Sequence, residues 1–341
     1  MKIKNKYNVS VLGAGSWGTA LAQVLAENEH AVTLWEFRPD AADHLNKTRV
    51  NSEFLPDIPI PASIRITSDL EKACDEQDII VVAVPSHVVR SVSEQVNEIG
   101  KSRDAVFVNV AKGVENETLL RMSQVLKETI NWVDNKQIVT LSGPSHAEEV
   151  SRRIPTAIVA AGHDLQAAEI IQHAFMNMFF RVYTNEDIIG VQLGGALKNV
   201  IAIAAGICDG AGFGDNTKAA LQPRGLAEMA RLGVALGSKA ITFAGLSGMG
   251  DLIVTCMSKH SRNRHVGEQV GRGRKLEDIL NEMVMVAEGV KTTRSAYALS
   301  QKYAIEMPIT EQVYQMLFEN KNAKQALNEL MQRDPKREKL G

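Results

Sequence analysis

The chain has 341 residues, a length that suits about two domains. Its 38 basic residues nearly balance 40 acidic ones, and aromatics make up only 5%. That excludes both the charge footprint of a nucleic-acid or anionic-lipid binder and the stacking rings of a single-strand binder. Three cysteines, Cys74, Cys208 and Cys256, are too few, odd and widely spaced for a disulfide framework or zinc ribbon, which points to a reducing compartment.

Lys2, Lys4 and Lys6 ahead of the apolar stretch 9–26 imitate a signal peptide, down to an Ala20-Leu21-Ala22 triplet. Gly13, Gly15 and Gly18 break that stretch, and cleavage would remove a complete phosphate-loop motif, so the expected location is cytoplasmic. No run of ~20 apolar residues lacks a charge, so no membrane-spanning helix and no membrane insertion are expected.

Short β-branched runs then alternate with helical patterns. The runs fall at 8–12, 31–35, 79–84, 105–110, 137–141, 156–161 and 180–183, with helical spacing between them, for example at 19–28 and 117–129. Several are apolar on both faces, such as I-I-V-V-A-V at 79–84, as parallel strands covered by helices require. The pattern predicts a doubly wound, mostly parallel α/β sheet. From about Asp187 onward strand propensity stops, and helices are expected at 191–206, 225–236, 276–286, 292–303 and 310–318, with Pro308 as a breaker before the last. The expected division is therefore an α/β domain over 1–188 and an all-α domain over 189–341, with the charged tail 333–341 fraying.

V-S-V-L-G-A-G-S-W-G-T-A at 9–20 runs a strand through Gly13, Gly15 and Gly18 into a helix. The first glycine allows the turn, the second lets a pyrophosphate approach the backbone, and the third lets helix and strand pack. This makes the first domain Rossmann-type and dinucleotide-binding. At the adenosine end Glu36 closes the second strand, where an acid would bond the ribose diol of NAD. Arg38, two residues on, can pair with the extra phosphate of NADP. Both instructions are present, so dual use leaning to NADPH is expected.

Three strands end in turns that should face the nicotinamide: A-V-P-S-H at 83–87, A-K-G at 111–113 and S-G-P-S-H-A at 142–147. Lys112 is either a point charge for an anionic substrate or an exposed turn lysine. Gly143 and Ser145 offer donors just before a helical pattern near Ala147, while His87 and His146 are either acid–base groups or turn residues. V-Q-L-G-G-A-L-K-N-V-I-A-I-A-A-G at 191–206 places Lys198 mid-helix beside small residues, with the apolar stripe on Leu193, Leu197, Val200, Ile201 and Ala204. An unpaired ammonium there is expensive to bury, the alternative being a lysine that snorkels to the surface. Asp251 follows a glycine-rich turn, and S-R-N-R-H at 261–265 sets Arg262 and Arg264 around Asn263, a donor set for a phosphate monoester or else a solvated basic turn. V-A-E-G-V at 286–290 adds Glu288. Neither histidines nor cysteines show metal-ligand spacing, so no metal is expected.

Taken together these segments resemble bacterial NAD(P)-dependent glycerol-3-phosphate dehydrogenases, from about Val9 to Arg337. N-S-E-F-L-P at 51–56, D-G-A-G-F-G at 209–214, G-D-L-I-V-T-C at 250–256 and E-M-P-I-T at 306–310 extend the match. The resemblance implies reversible reduction of dihydroxyacetone phosphate to sn-glycerol 3-phosphate, the backbone precursor of phospholipids, with Lys198 as the acid–base group. It implies a substrate pocket lined by Lys112, Gly143, Ser145, Lys198, Asp251, Ser261, Arg262 and Asn263. It further implies coenzyme contacts from Ser16, Trp17, Arg38, Lys112, Ala147, Arg262, Val286 and Glu288. The family pattern expects an apolar residue and threonine before Arg224, where this chain has Gln222-Pro223, which puts the start of the following helix in question. The expected partner is a small phosphorylated three-carbon substrate, with a homodimer as the candidate assembly and no nucleic acid. Two other readings are a related β-hydroxy acid or keto acid dehydrogenase and a non-catalytic dinucleotide sensor, the latter having no use for Lys198. An ordinary lysine pKa of ~10.4 would leave Lys198 almost wholly protonated at neutral pH.

Overall fold

The computed structural model describes residues 3–283, 285–335 and 337–338 and divides into two compact units. The first comprises Met1–Ala111 with Met122–Ile188, the second Lys112–Arg121 with Ile189–Gly341.

The first unit contains β1 (Asn8–Leu12), β2 (Ala31–Trp35), β3 (Val50–Asn51), β4 (Leu55–Pro59) and β5 (Arg65–Thr67), followed by β6 (Ile79–Val82), β7 (Val106–Asn109), β8 (Ile138–Ser142), β9 (Thr156–Gly162) and β10 (Phe180–Asn185). β3 and β4 form a small ribbon, and the other eight make one sheet in the order β10-β9-β8-β7-β6-β1-β2-β5. Neighbours run parallel except β8 with β9. This is the doubly wound architecture expected, and all seven expected runs are strands. Strand order reverses at β1, which pairs with β2 on one side and β6 on the other. The crevice beyond the carboxyl ends of β1 and β6 is therefore a topological switch point, where open α/β sheets take ligands. β6 and β7 are buried throughout, which is why their sequences show no alternation.

The second unit is helical around Ile188–Gly210. The expected one-sided stripe is not what forms: residues 191–208 are buried on every side, so the helix is a core element with neighbours all round. It has the length and hydropathy of a membrane span, but 94% of its apolar stretch is buried within the protein. Fully burying one Leu or Ile side chain contributes roughly 1.5–3 kcal/mol, so this helix organises the unit. It meets the helix Arg262–Gly271 backbone to backbone. A Cβ on Gly206 would lie 2.0 Å from the Arg264 carbonyl oxygen, and one on Gly267 would lie 2.0 Å from that of Ile203.

Several expectations are corrected. The helix expected at 117–129 begins only at Met122. Ahead of it, 112–121 forms a loop closed by the Val114–Arg121 bridge, with Leu119 left-handed at φ +60°. This loop joins the second unit because Val114 is buried in its core, where the Val114 carbonyl accepts from Ser295 Oγ at 2.9 Å. The helix expected at 276–286 stops at Asn281. The helix Asp215–Ala235 does not start after Pro223 but runs through it. Pro223 is exposed, so the carbonyl freed by its missing N–H can bond water. Pro308 opens its helix rather than breaking one, and buried Glu228 caps that end by accepting from Ile309 N at 2.6 Å and Thr310 N at 3.1 Å. Of the tail 333–341, residues 336 and 339–341 lie outside the described residues.

Candidate active site

In the first unit the glycine turn follows β1. Gly13 has φ +116°, and a Cβ there would stand 2.8 Å from the Ala83 carbonyl oxygen at the end of β6. Gly18 packs still closer, since its Cβ would fall 1.9 Å from the Gly13 oxygen. Gly15 differs: nothing stands within 4 Å of its Cβ position, so that side of the turn is open. Gly15 also precedes the helix Ser16–Glu27, whose first turn holds no acidic residue and whose cap position makes no side-chain bond. Open N–H groups at a helix start suit an anion. Ser16 is buried, Trp17 is half-buried, and the Trp17 Nε1–H meets no acceptor among the described residues. The residues present fit a pyrophosphate-linked dinucleotide.

Asn51, in the ribbon, braces this turn by donating to the Ala14 carbonyl at 2.7 Å and to Thr19 Oγ1 at 2.9 Å. Its neighbours help to enclose a cleft of about 430 Å³ with Glu36, Arg38, His44 and Phe54. Glu36 is almost buried at the end of β2. Arg38 donates from Nε to Glu36 Oε1 at 3.0 Å and from Nη2 to Glu53 Oε2 at 2.9 Å. Bonding to Glu53 and Glu36 pushes the guanidinium pKa above its already high value. Sequence reasoning missed Asn51 and Glu53, although both stand in a motif it singled out.

Beyond β8, Gly143 adopts φ +146°, where a side chain would strike Ile158. Ser145 Oγ donates to the Gly143 carbonyl at 2.9 Å. Ala147 opens the short helix Ala147–Val150, with His146 at its cap position, and His87 is exposed in the turn Ser86–Val88 after β6.

The second unit gathers Lys112, Lys198 and Asp251 into one cluster. Asp251 opens the helix Asp251–Met257 after the tight turn Leu246–Gly250, which approaches so closely that a Cβ on Gly194 would lie 2.7 Å from the Ser247 oxygen. Lys198 Nζ donates to Asp251 Oδ1 at 2.9 Å and to Thr255 Oγ1 at 2.6 Å. Lys112 Nζ donates to Asp251 Oδ2 at 2.6 Å. Thr255 in turn donates to the Asp251 carbonyl at 2.6 Å. Lys198 therefore neither snorkels out nor lies unpaired; its side chain is 8% exposed and that of Asp251 is 2% exposed.

Two ammonium groups against one carboxylate leave the cluster with a net positive charge. Burial lowers the Lys198 pKa to about 8, with Lys112 adding to the shift and Asp251 opposing it. The ordinary lysine value expected from sequence is thus corrected. For Asp251, burial alone would raise the carboxyl, but the two neighbouring ammonium groups outweigh it and hold the pKa below the usual range. Thr255 and the opposing effects of burial and charge were not legible from the motif.

Ser261 caps the helix Arg262–Gly271, its Oγ accepting from Arg264 N at 3.2 Å. No acid occupies the first turn of that helix, and Arg262 donates to the Val286 carbonyl at 3.1 Å. Asn263 ties three segments together, donating to Asn199 Oδ1 at 2.8 Å and accepting from Gly289 N at 2.8 Å. Val286 is 38% exposed, and Glu288 begins the helix Glu288–Lys302. Arg264 departs from the expected donor pair: its guanidinium is bound to Asp209 at 2.6 Å. Among the described residues no three His, Cys, Asp or Glu side chains gather as metal ligands.

A glycine turn at the switch point of a parallel sheet, together with a helical unit carrying a buried, pKa-shifted lysine, defines a nicotinamide-dependent dehydrogenase. Residues 8–168 match the family model for the NAD-dependent glycerol-3-phosphate dehydrogenase N-terminus, and residues 187–328 match that for its C-terminus. The chain is 54% identical over 333 residues to the glycerol-3-phosphate dehydrogenase [NAD(P)+] of Thermoanaerobacter sp. (strain X514), covering 98% of this chain and 99% of that one. It is 52% identical to the enzyme of that name from Bacillus pumilus (strain SAFR-032), over 95% and 94% of the two chains. A crystal structure of glycerol-3-phosphate dehydrogenase from Coxiella burnetii superposes with a TM-score of 0.92 at 37% identity, covering 97% of this chain and all of that one. The chain belongs to the NAD-dependent glycerol-3-phosphate dehydrogenase family.

Proposed function

We propose that the chain interconverts dihydroxyacetone phosphate and sn-glycerol 3-phosphate with NAD(P)H, supplying the glycerophosphate backbone of phospholipids. The observation that carries this reading is the buried Lys198–Asp251–Lys112 cluster. The first unit, by this reading, binds the coenzyme through Gly13, Gly15, Ser16, Trp17, Gly18, Arg38 and Ala147, with Arg38 favouring NADPH. The second binds substrate and carries the proton chemistry, with Lys112, Arg262, Val286 and Glu288 also serving the coenzyme and Gly143 and Ser145 of the first unit serving the substrate.

When bound, the coenzyme supplies the hydride for reduction and accepts it in oxidation. Lys198, protonated, donates a proton to the substrate's carbonyl oxygen as negative charge develops there. Asp251 and Thr255 orient the ammonium and help to keep it charged against burial, while the net positive cluster stabilises the developing anion. In oxidation Lys198 must be neutral to accept the alcohol proton. The helix start at Ser261 and Arg262 supplies donors of the kind that grip a phosphate monoester, with Asn263 fixing that start against Asn199. Three buried free thiols accord with a reducing, cytoplasmic setting, and a homodimer is the assembly to be sought by sedimentation.

The test is a rate comparison between dihydroxyacetone phosphate, unphosphorylated dihydroxyacetone and a small keto-acid panel, in wild type and Arg262→Ala. Wild type should strongly prefer the phosphorylated ketone, because remote phosphate binding energy can be used at the carbonyl. Arg262→Ala should lose most of that preference. A better rate on a keto acid, or no turnover of any substrate, would overturn the reading.

A further inference from the structure

Arg38 is already engaged. Glu36 accepts from its Nε at 3.0 Å and from its backbone N–H at 3.2 Å, both on one carboxylate oxygen. Glu53 takes Nη2 at 2.9 Å from the other side. The two acids are not equivalent. Glu36 is fixed at the end of β2 with its side chain 5% exposed, whereas Glu53 stands on the turn between β3 and β4 with 43% exposed. Phe37 and Phe54 flank the guanidinium, their ring centroids 5.7 and 5.8 Å from its carbon. All of these groups except Phe37 line the same cleft of about 430 Å³.

A phosphate monoester near neutral pH carries a charge of about −1.5 to −2 and seeks the same guanidinium N–H groups. NADPH can bring its 2′-phosphate onto Arg38 only by displacing Glu53 or by adding a third anion beside it. NADH makes no such demand. We propose that Glu53 is a coenzyme-selectivity residue that competes with the 2′-phosphate for Arg38. It holds the guanidinium while NAD(H) is bound and must release it for NADP(H), so the chain favours NADPH less than Arg38 alone would dictate. This rests on the reading that Arg38 recognises the 2′-phosphate.

The experiment is a double-mutant cycle with Glu53→Gln, Arg38→Ala and the pair. It uses calorimetric binding of adenosine 2′,5′-bisphosphate against 5′-AMP, alongside kcat/KM for NADPH against NADH. Glu53→Gln keeps the shape of a partly exposed side chain and removes only its charge. It should raise the 2′-phosphate preference roughly three- to tenfold, the range for a partly exposed charged contact. Arg38→Ala should lower that preference, and Glu53→Gln should then have less than half its former effect. If Arg38→Ala lowers the preference but Glu53→Gln leaves it unchanged, the competition is refuted while the role of Arg38 stands. An equal rise in both backgrounds also refutes it, since Glu53 would then act on the phosphate without Arg38. If Arg38→Ala changes nothing, both readings fall.

Discussion

Lys198 holds an ammonium where burial works against charge, and the pKa of about 8 measures how far Asp251 offsets that burial. At pH 7 about one molecule in ten should carry neutral Lys198, against about one in 2,500 for an unperturbed lysine. With Lys198 as the proposed general acid, reduction should therefore decline as pH rises through about 8, and oxidation should rise over the same interval. Lys198→Ala should reduce kcat by at least ~10²–10⁴-fold, the worth of general-acid help, while coenzyme still binds. Stopped-flow rates and coenzyme fluorescence check both, and a kcat within tenfold of wild type would remove Lys198 from the chemistry. Asp251→Asn takes away the carboxylate that bonds Lys198 and raises its pKa, so the alkaline limb of the surviving reduction activity should move to lower pH. An unmoved limb would show that another group titrates. The burial of Lys198 was legible because a lysine amid small apolar residues mid-helix is expensive to bury and needs a reason to be there. Its pairing was not, since Lys112, Asp251 and Thr255 come from three separate stretches of chain.

At the scale of elements, the glycines between the helices Ile188–Gly210 and Arg262–Gly271 set how the helix start at Ser261 and Arg262, the proposed phosphate grip, is aimed. Because a Cβ on Gly267 would fall 2.0 Å from the Ile203 oxygen, no rotamer change relieves the clash and the helix axes must separate. Gly267→Ala should destabilise the second unit by about 1–3 kcal/mol or more, the range for overpacking. It should also raise KM for dihydroxyacetone phosphate, because the Asn263–Asn199 bond at the helix start is strained in the same movement. Denaturant titration and steady-state kinetics read the two effects, and a variant with wild-type stability would show that the helices part freely. Periodicity revealed the major strands and the core helices well, since each buries a long regular pattern. It missed the ribbon β3–β4, whose second strand is L-P-D-I-P, because two prolines and five residues carry no period. Pro223 misled for the opposite reason: a local rule against helix was overridden where the proline faces solvent.

At the scale of the whole chain, the two units are not two consecutive segments. Lys112–Arg121 leaves the first run of sequence and builds into the second unit, bringing Lys112 to Asp251 and burying Val114 in the helical core. Composition gave no hint of this, because the loop is short and its one buried anchor is an ordinary valine. The consequence is that a cut at the obvious boundary, between Ile188 and Ile189, leaves the second unit incomplete. A fragment of residues 189–341 would lack Val114 and would keep Asp251 buried with one of its two ammonium partners missing. Losing the Lys112 bond to Asp251 costs about 1.5–3 kcal/mol, the worth of a hydrogen bond to a charged group, while the Lys198–Asp251 pair stays balanced, and the vacated Val114 site adds roughly 1.5–3 kcal/mol, together a sizeable share of a domain's usual ~5–15 kcal/mol. That fragment alone should therefore melt broadly or below the temperature of the intact chain. Co-expressed with residues 1–188, which carry the missing loop, it should recover a cooperative transition and protect the amides of Ile188–Gly210 from hydrogen exchange. A lone fragment that melts as sharply, and at the same temperature, as the intact protein would show that the 112–121 loop adds little to the fold it enters.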